Sequence, residues 1–288
     1  MPTTLLAAEG PNAEQIKYWN EQGPKWVTLQ TQLDEQLRPL GLRTMDRAAI
    51  VAGERILDIG CGCGETTVDL ARRVGAPGAA VGVDISAHAL ERAQQRAAAA
   101  GLHVRFQSAD AQTFAFTPES FDLVFSRFGV MFFSDPVAAF ANLRRALRPG
   151  GRLAFVCWQS VQQNQWMMIP LAALAAHVEL PPPPAPGTPG PFAFADADRV
   201  RGILTHAGFE AITFEAFDER LVVGGGGSLD QAVEFMLQIG PVAAVLRAAG
   251  DASRAAVAAA IHTAVAPFVS PQGVQMAAAA WIVTARRP

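Results

Sequence analysis

Three glycines at alternate positions, Gly60, Gly62 and Gly64, follow directly on the short apolar run over 55–59 and precede a helix-opening stretch around Leu70. A strand that empties into such a loop strongly constrains the fold. Glycine tolerates sharp turns, and without a Cβ it lets a ligand lie against the main chain. The sequel repeats the theme. Asp84 ends a second strand-like run over 80–83, and Asp110 follows a third over 104–107. Asp58, Asp84 and Asp110 are evenly spaced, so three strand ends bearing aspartates line up on one edge of a parallel sheet. That edge is where open α/β folds bind ligands.

The rest of the chain extends this reading. Strands over 55–59, 80–83, 104–108, 121–125 and 152–158 alternate with helices over 66–74, 86–100 and 136–147. Ser86 is a natural N-cap and Gly101 a helix stop, while Ser134-Asp135-Pro136 starts the next helix and Pro149-Gly150-Gly151 ends it. Beyond residue 160 the rhythm breaks. A helix through Met167 and Leu174 leads into a proline-rich connection, a helix over 196–207, an alternating strand over 211–223 and a flexible turn at 224–227. Two Ala-rich helices over 229–249 and 254–266 precede a final strand over 276–285. The expected architecture is α/β, a doubly wound Rossmann-like seven-stranded sheet with six parallel strands and one antiparallel. Residues 1–50 form an N-terminal helical lid on a main domain over 51–288. Within that domain, 161–194 and about 229–266 are lid insertions.

Bulk properties exclude several classes. The 288 residues carry 23 basic and 26 acidic side chains and a formal net charge of −3, with no clustered basic face of the kind nucleic acid requires. Three cysteines, Cys61, Cys63 and Cys157, lack metal-site or disulfide spacing. Neither a leader-like start at 1–10 nor a membrane-length apolar run is evident, and a soluble, cytoplasmic protein is expected.

The ordered set Asp58-x-Gly60-x-Gly62-x-Gly64, Asp84, Asp110-Ala111 and Leu147-Arg148-Pro149-Gly150-Gly151 resembles class I S-adenosylmethionine-dependent methyltransferases. Within them it is most similar to the small-molecule branch of the ubiquinone/menaquinone-biosynthesis type, closely over 50–160 and more loosely beyond. The resemblance implies S-adenosyl-L-methionine as cofactor, S-adenosyl-L-homocysteine as product, and a small, partly hydrophobic acceptor methylated on O, N or C. Gly60, Cys61, Gly62 and Gly64 then let the methionine and ribose pass over the loop. Asp84, beside Ile85, accepts the ribose hydroxyls or else caps the helix at Ser86. Asp110 takes the adenine amino group with the Ala111 N–H at the ring edge, or is a solvated loop carboxylate. Asp58 fixes the loop or reaches the ammonium through water. Ser126 and Arg127 hold the ammonium through their main chains, while the Arg127 side chain enters the substrate cavity or pairs with a carboxylate. Tyr18 and Trp26 are lid candidates that could instead anchor the N-terminal helices.

Phe128, Met131, Phe132, Phe133, Trp166, Met167 and Phe235 are the candidate substrate pocket, since adaptable methionines suit an apolar acceptor. The alternative is that part of this set fills the core. His177 and Arg127 are the candidate catalytic groups, and no metal set is present. The oligomeric state stays open, a homodimer included. Two other readings remain: an NAD(P)-dependent oxidoreductase, because Asp84 could bind a ribose there too, and a non-catalytic cofactor-binding module.

Overall fold

A computed structural model describes residues 5–249 and 253–288. The first four residues of the expected lid segment and of the leader reading therefore lie outside the described residues. The chain builds an eight-stranded mixed sheet in the order β3-β2-β1-β4-β5-β8-β6, with the short β7 paired to β8. Strands β1 (Arg55–Ile59), β2 (Ala79–Asp84), β3 (Arg105–Ser108), β4 (Phe121–Arg127) and β5 (Leu147–Trp158) run parallel. β8 (Gly273–Arg286) is antiparallel to both β5 and β6 (Glu210–Val222). Six long strands thus share one direction and one opposes them, as expected; the addition is the two-residue β7 (Val269–Ser270).

Side chains of the central strands alternate between two apolar clusters. Leu57, Val124, Leu153 and Phe155 join the larger one, and Ile56, Leu123, Phe125 and Ala154 the smaller one. That period-two division marks a sheet covered by helices on both faces. The helices α3 (Glu65–Val74), α4 (Ala87–Ala99) and α5 (Pro136–Ala146) begin near the expected positions. Ser86 and Asp135 cap α4 and α5 by accepting from the Ala89 and Ala138 N–H groups.

Two helices, α1 (Ala13–Thr28) and α2 (Gln30–Arg47), precede the sheet, separated only by Leu29. Leu33, Leu37 and Leu40 of α2 are buried at helical spacing, so one stripe seats it on the core. After β5 come α6 (Gln165–Ala175), the proline-rich connection and α7 (Ala197–His206). The stretch expected as one helix over 229–249 is two, α8 (Leu229–Gln238) and α9 (Gly240–Ala249), bent by 59°. The break falls where Ile239 is extended and Gly240 takes a positive φ of 72°, which interrupts the helical run. A last helix, α10 (Arg254–Val265), packs against α6 and α8. The glycine turn at 224–227 is pinned, not loose: the Gly224 N–H donates to the buried Gln36 side chain at 2.8 Å. Among the described residues no single helix is long and apolar enough to cross a membrane.

One close approach fixes the mouth of the sheet. A Cβ on Gly60 would stand 2.6 Å from the Gly129 Cα, so the β1 loop and the turn after β4 touch backbone to backbone. Gly60 also has a φ of +65°. Gly60→Ala should therefore cost well over 1 kcal/mol of stability, because strain in the left-handed region adds to a main-chain clash. Urea unfolding monitored by tryptophan fluorescence checks this, and an unchanged midpoint would contradict the packing.

Candidate functional site

The carboxyl edge of the sheet opens into a cavity of about 790 Å³ that reaches from the glycine loop to α6 and α9. Its floor is built by hydrogen bonds from the ends of the strands. The Gly60 and Cys61 N–H groups donate to the Val83 carbonyl, and the Gly62 N–H donates to Asp84 Oδ2 at 2.8 Å. Asp84 Oδ1 accepts from the Ser86 N–H at 2.8 Å. One carboxylate therefore holds the loop and the start of α4 together, and each oxygen keeps a lone pair for a further donor. Burial raises the Asp84 pKa, with the Ser86 and Gly62 N–H groups opposing the shift. The ribose and helix-cap readings of Asp84 are thus compatible.

The glycines divide the work. A Cβ on Gly62 would meet nothing within 4 Å, so this position faces open space in the cavity. Gly64 instead serves packing: its Cβ would stand 2.7 Å from that of Ala93 on α4, and Gly64 does not line the cavity.

Asp58 is also withdrawn from the cavity. It is fully buried, and its Oδ2 accepts from the Thr66 and Thr67 hydroxyls at 2.6 Å each, tying β1 to α3. Oδ1 has no partner among the described residues. Ser126 likewise faces inward, donating its hydroxyl to the Ile59 carbonyl at 2.8 Å and accepting from the Gly129 N–H. Its role is to clamp β4 to β1. Phe235 is buried against Gly224 in the core, and His177 is exposed in the turn just after α6; neither lines the cavity. Cys61, Gly60, Gly62, Asp84, Ile85, Asp110, Ala111, Arg127, Tyr18 and Trp26 do line it, as do Phe128, Met131, Phe132, Phe133, Trp166 and Met167.

Asp110 is not a free loop carboxylate. Its Oδ1 accepts from the Gln112 N–H and from the side chain of Asn12, just ahead of α1, while Thr113 donates to Oδ2. Asn12 also accepts from the Ser134 N–H, so this buried residue fastens the N-terminal helices over the end of β3. Asn142 of α5 donates to the Ala111 and Phe114 carbonyls and fixes the turn from below.

An ion network that sequence spacing does not disclose closes the other side. Arg127 bonds Glu65 at 2.5 Å and lies 3.6 Å from Asp34; Arg38 bonds Glu65 and Asp69; Arg96 bonds Asp34 at 2.6 Å. Burial pushes Glu65 up, but Arg127 and Arg38 outweigh it and hold the carboxyl below its usual range. For Asp34, burial and the Glu65 charge prevail over Arg127 and Arg96, and its pKa rises. Arg127 combines the two readings: it pairs with Glu65 and also lines the cavity. The thiols are poor nucleophiles here: burial, then the Asp34 and Asp84 charges, push Cys63 up to about 12, and burial raises Cys61 too.

Residues 56–151 match the sequence profile of a family described as a methyltransferase domain. Over that stretch this chain is similar to methyltransferase domains. Over 122 residues it is 40% identical to aklanonic acid methyltransferase DauC of a Streptomyces species, 42% of this chain and 56% of that protein. It is 33% identical over 131 residues to demethylmenaquinone methyltransferase of Lactiplantibacillus plantarum, 45% of this chain and 54% of that one. The chain thus spans about half the length of the curated relatives it matches. Likeness in fold reaches further than the sequence match. A structure described as a putative methyltransferase from Bacillus halodurans superposes with a TM-score of 0.56 at 18% identity, covering 86% of this chain and 98% of that one.

Buried Asp58 makes the stability of the fold depend on pH. Its pKa is raised to about 6, chiefly by burial, against hydrogen bonds from Thr66 and Thr67 that lower it. Below the ordinary carboxylate pKa it is neutral in both states and costs nothing. As pH rises towards 6 the unfolded chain ionises first and the folded state loses ground; above 6 the loss is constant, at about 2–3 kcal/mol. Asp58→Asn keeps an oxygen for both threonines and removes the ionisation. Its stability relative to wild type should improve by that amount between pH 4 and pH 7, and a difference flat with pH would refute the assignment.

Proposed function

We propose that the protein transfers a methyl group from S-adenosylmethionine to a small, partly hydrophobic acceptor. The observation that carries this is the continuity of one cavity, from the Gly62–Asp84 cradle to an apolar chamber beside α6 and α9. The residues present fit the cofactor. Gly62 leaves room for a ligand against the main chain, Asp84 offers two carboxylate oxygens to ribose hydroxyls, and Asp110 lies at the end of β3 with Ala111 on the cavity wall. Among the described residues four carboxylates line the cavity; Asp34 and Glu65 are neutralised by Arg96, Arg38 and Arg127, which leaves Asp84 and Asp110 to favour a cationic cofactor.

Bound there, the cofactor supplies an electrophilic methyl group on a positively charged sulfur. The protein's share is alignment and exclusion of water. Arg247 of α9 donates to the Tyr18 hydroxyl at 3.3 Å, so the lid helices and the C-terminal helices meet over the cavity. Among the described residues no lysine or histidine lines it, which suits an acceptor needing no strong base.

The dinucleotide alternative fits less well. A pyrophosphate sits at the N-terminus of the helix after the glycine loop, where free N–H groups and the helix dipole attract anions. Here that first residue is Glu65, a buried carboxylate bonded to two arginines. A cavity of this size beside Gly60 also favours a reaction chamber over a non-catalytic module. A cytoplasmic location and a choice between monomer and homodimer stay with this proposal.

Asp84→Asn should weaken S-adenosylmethionine binding by about 1–3 kcal/mol, through loss of charge-assisted hydrogen bonds. Because the Gly62 and Ser86 N–H groups rely on the same carboxylate, a modest loss of stability should accompany it. Titration calorimetry on folded protein, with a thermal melt alongside, measures both. Wild-type affinity in the variant would remove the ribose role.

A further inference from the structure

Gln36 is the odd polar residue on the buried side of α2. Leu33, Leu37 and Leu40 seat this helix on the core, and Gln36 lies among them, 1% exposed and lining the cavity. The other buried glutamine of the helix, Gln30, has both ends engaged: its Nε2 donates to Asp34 at 2.9 Å, and its Oε1 accepts from Arg92 at 2.7 Å. Gln36 has only one end engaged. Its Oε1 accepts from the Gly224 N–H at 2.8 Å, and among the described residues its Nε2 has no acceptor.

A backbone N–H can only donate, so it fixes which end of the amide faces Gly224 and leaves both Nε2 hydrogens directed elsewhere. The nitrogen is not sealed in, unlike the unpartnered Nε1 of Trp166, and the open space beside Gln36 is the cavity that it lines. A buried donor left without a partner is costly, and a ligand oxygen would satisfy it.

The four-glycine turn accounts for how the amide is held. Gly224, Gly225, Gly226 and Gly227 all take positive φ, between 65° and 113°, a backbone that residues with a Cβ rarely adopt. A Cβ on Gly224 would stand 3.3 Å from Phe235, and one on Gly225 would strike the Glu35 carboxylate. The turn is thus pressed between α8 and α2, and its first N–H is carried onto Gln36.

Topology places this anchor. β5 and β6 are both antiparallel to β8, so they run parallel to each other and the turn after β6 stands at the ligand edge. In the sheet β6 is the far edge strand, beyond β4, β5 and β8 from β1. Gln36 is therefore fixed from the side of the cavity away from the Gly62–Asp84 cradle.

We infer that Gln36 is a specificity-determining residue whose Nε2 donates a hydrogen bond to a carbonyl or hydroxyl oxygen of the acceptor, with the glycine turn holding the amide in place. This rests on the methyl-transfer reading of the same cavity. The methionine carboxylate of the cofactor offers the same kind of oxygen, and the test separates the two sources.

The test uses the full chain saturated with S-adenosylhomocysteine, whose own binding is measured first by calorimetry. Camphor supplies a ketone on a saturated cage, and bornane is the same cage without the oxygen. Ligand-observed NMR reads both affinities in wild type and in Gln36→Met, which keeps the side-chain length and loses the amide. The camphor-to-bornane affinity ratio should fall about threefold to tenfold in the variant, the worth of one hydrogen bond, with S-adenosylhomocysteine affinity unchanged. The infrared carbonyl band of camphor bound to wild type should lie below its position in hexane, a reading that stands even where the variant does not fold. An unchanged ratio overturns the inference, as does a bound band at its hexane position or no detectable binding of camphor. Weaker S-adenosylhomocysteine binding in Gln36→Met, with the ratio unchanged, gives the donor to the cofactor and overturns it as well. Failure of wild type to bind S-adenosylhomocysteine, with the camphor ratio still dependent on Gln36, would sink the methyl-transfer reading and leave the oxygen-binding site standing.

Discussion

Everything at the ligand edge depends on the contact between the main chains of Gly60 and Gly129. A side chain on either residue would strike the other's backbone at under 3 Å, so the loop after β1 and the turn after β4 share a single floor. Ser126 reinforces it by bonding both the Ile59 carbonyl and the Gly129 N–H. From that floor the neighbouring parts take their positions. Gly62 is carried over to the Asp84 carboxylate, and Phe128 is turned out of the strand into a left-handed conformation beside Trp158. The Gly62–Asp84 contact and the Phe128–Trp158 stack therefore have one common support, and a change at the Gly60–Gly129 contact would disturb both.

The N-terminal segment through α1 and α2 is joined to this edge by polar ties as well as by apolar packing. Asn12 reaches Asp110, Asn20 reaches the Ile85 carbonyl and the Ala87 N–H, Asp34 pairs with Arg96, and Arg38 pairs with Glu65. Each tie lands on or beside a residue of the cradle. Buried hydrogen bonds of this kind are expensive to leave unmade, so lid placement and cradle geometry favour each other. The arginines suit the task because a planar guanidinium can serve two carboxylates at fixed angles, as Arg127 does between Glu65 and Asp34 and Arg38 between Glu65 and Asp69.

The sheet and the glycine loop at its edge were legible in the sequence because both are written locally. Strand ends, glycine turns and caps such as Ser86 and Asp135 are encoded within a few residues, and their positions held. What escaped was long-range. Nothing in the spacing of Asp34 and Arg96 signals that they meet, and Asn12 lies far along the chain from Asp110. Burial direction was equally hidden: Asp58 and Ser126 sit in the expected motif, yet their side chains turn inward to bind Thr66, Thr67 and Ile59. Phe235 was misread for the same reason, since an apolar residue on a lid helix can fill either core or pocket. Trp158 could have been found, as the last residue of β5 on the ligand edge of the sheet.

The two ends of the cavity differ in kind, and the difference follows from which elements supply them. The end of β1 brings the glycine loop, and the ends of β2 and β3 bring Asp84 and Asp110, whose carboxylates are held at this edge by the Gly62, Ser86 and Gln112 N–H groups. The end of β5, α6 and α1 bring rings and thioethers, because these segments are otherwise core elements whose apolar stripe runs past the edge of the sheet. The polar end and the ring-lined end therefore present different chemistry within one cavity: Asp84 and Asp110 stand at the first, and the second is apolar except for the Gln36 amide and the Arg247 guanidinium beside the Tyr18 hydroxyl.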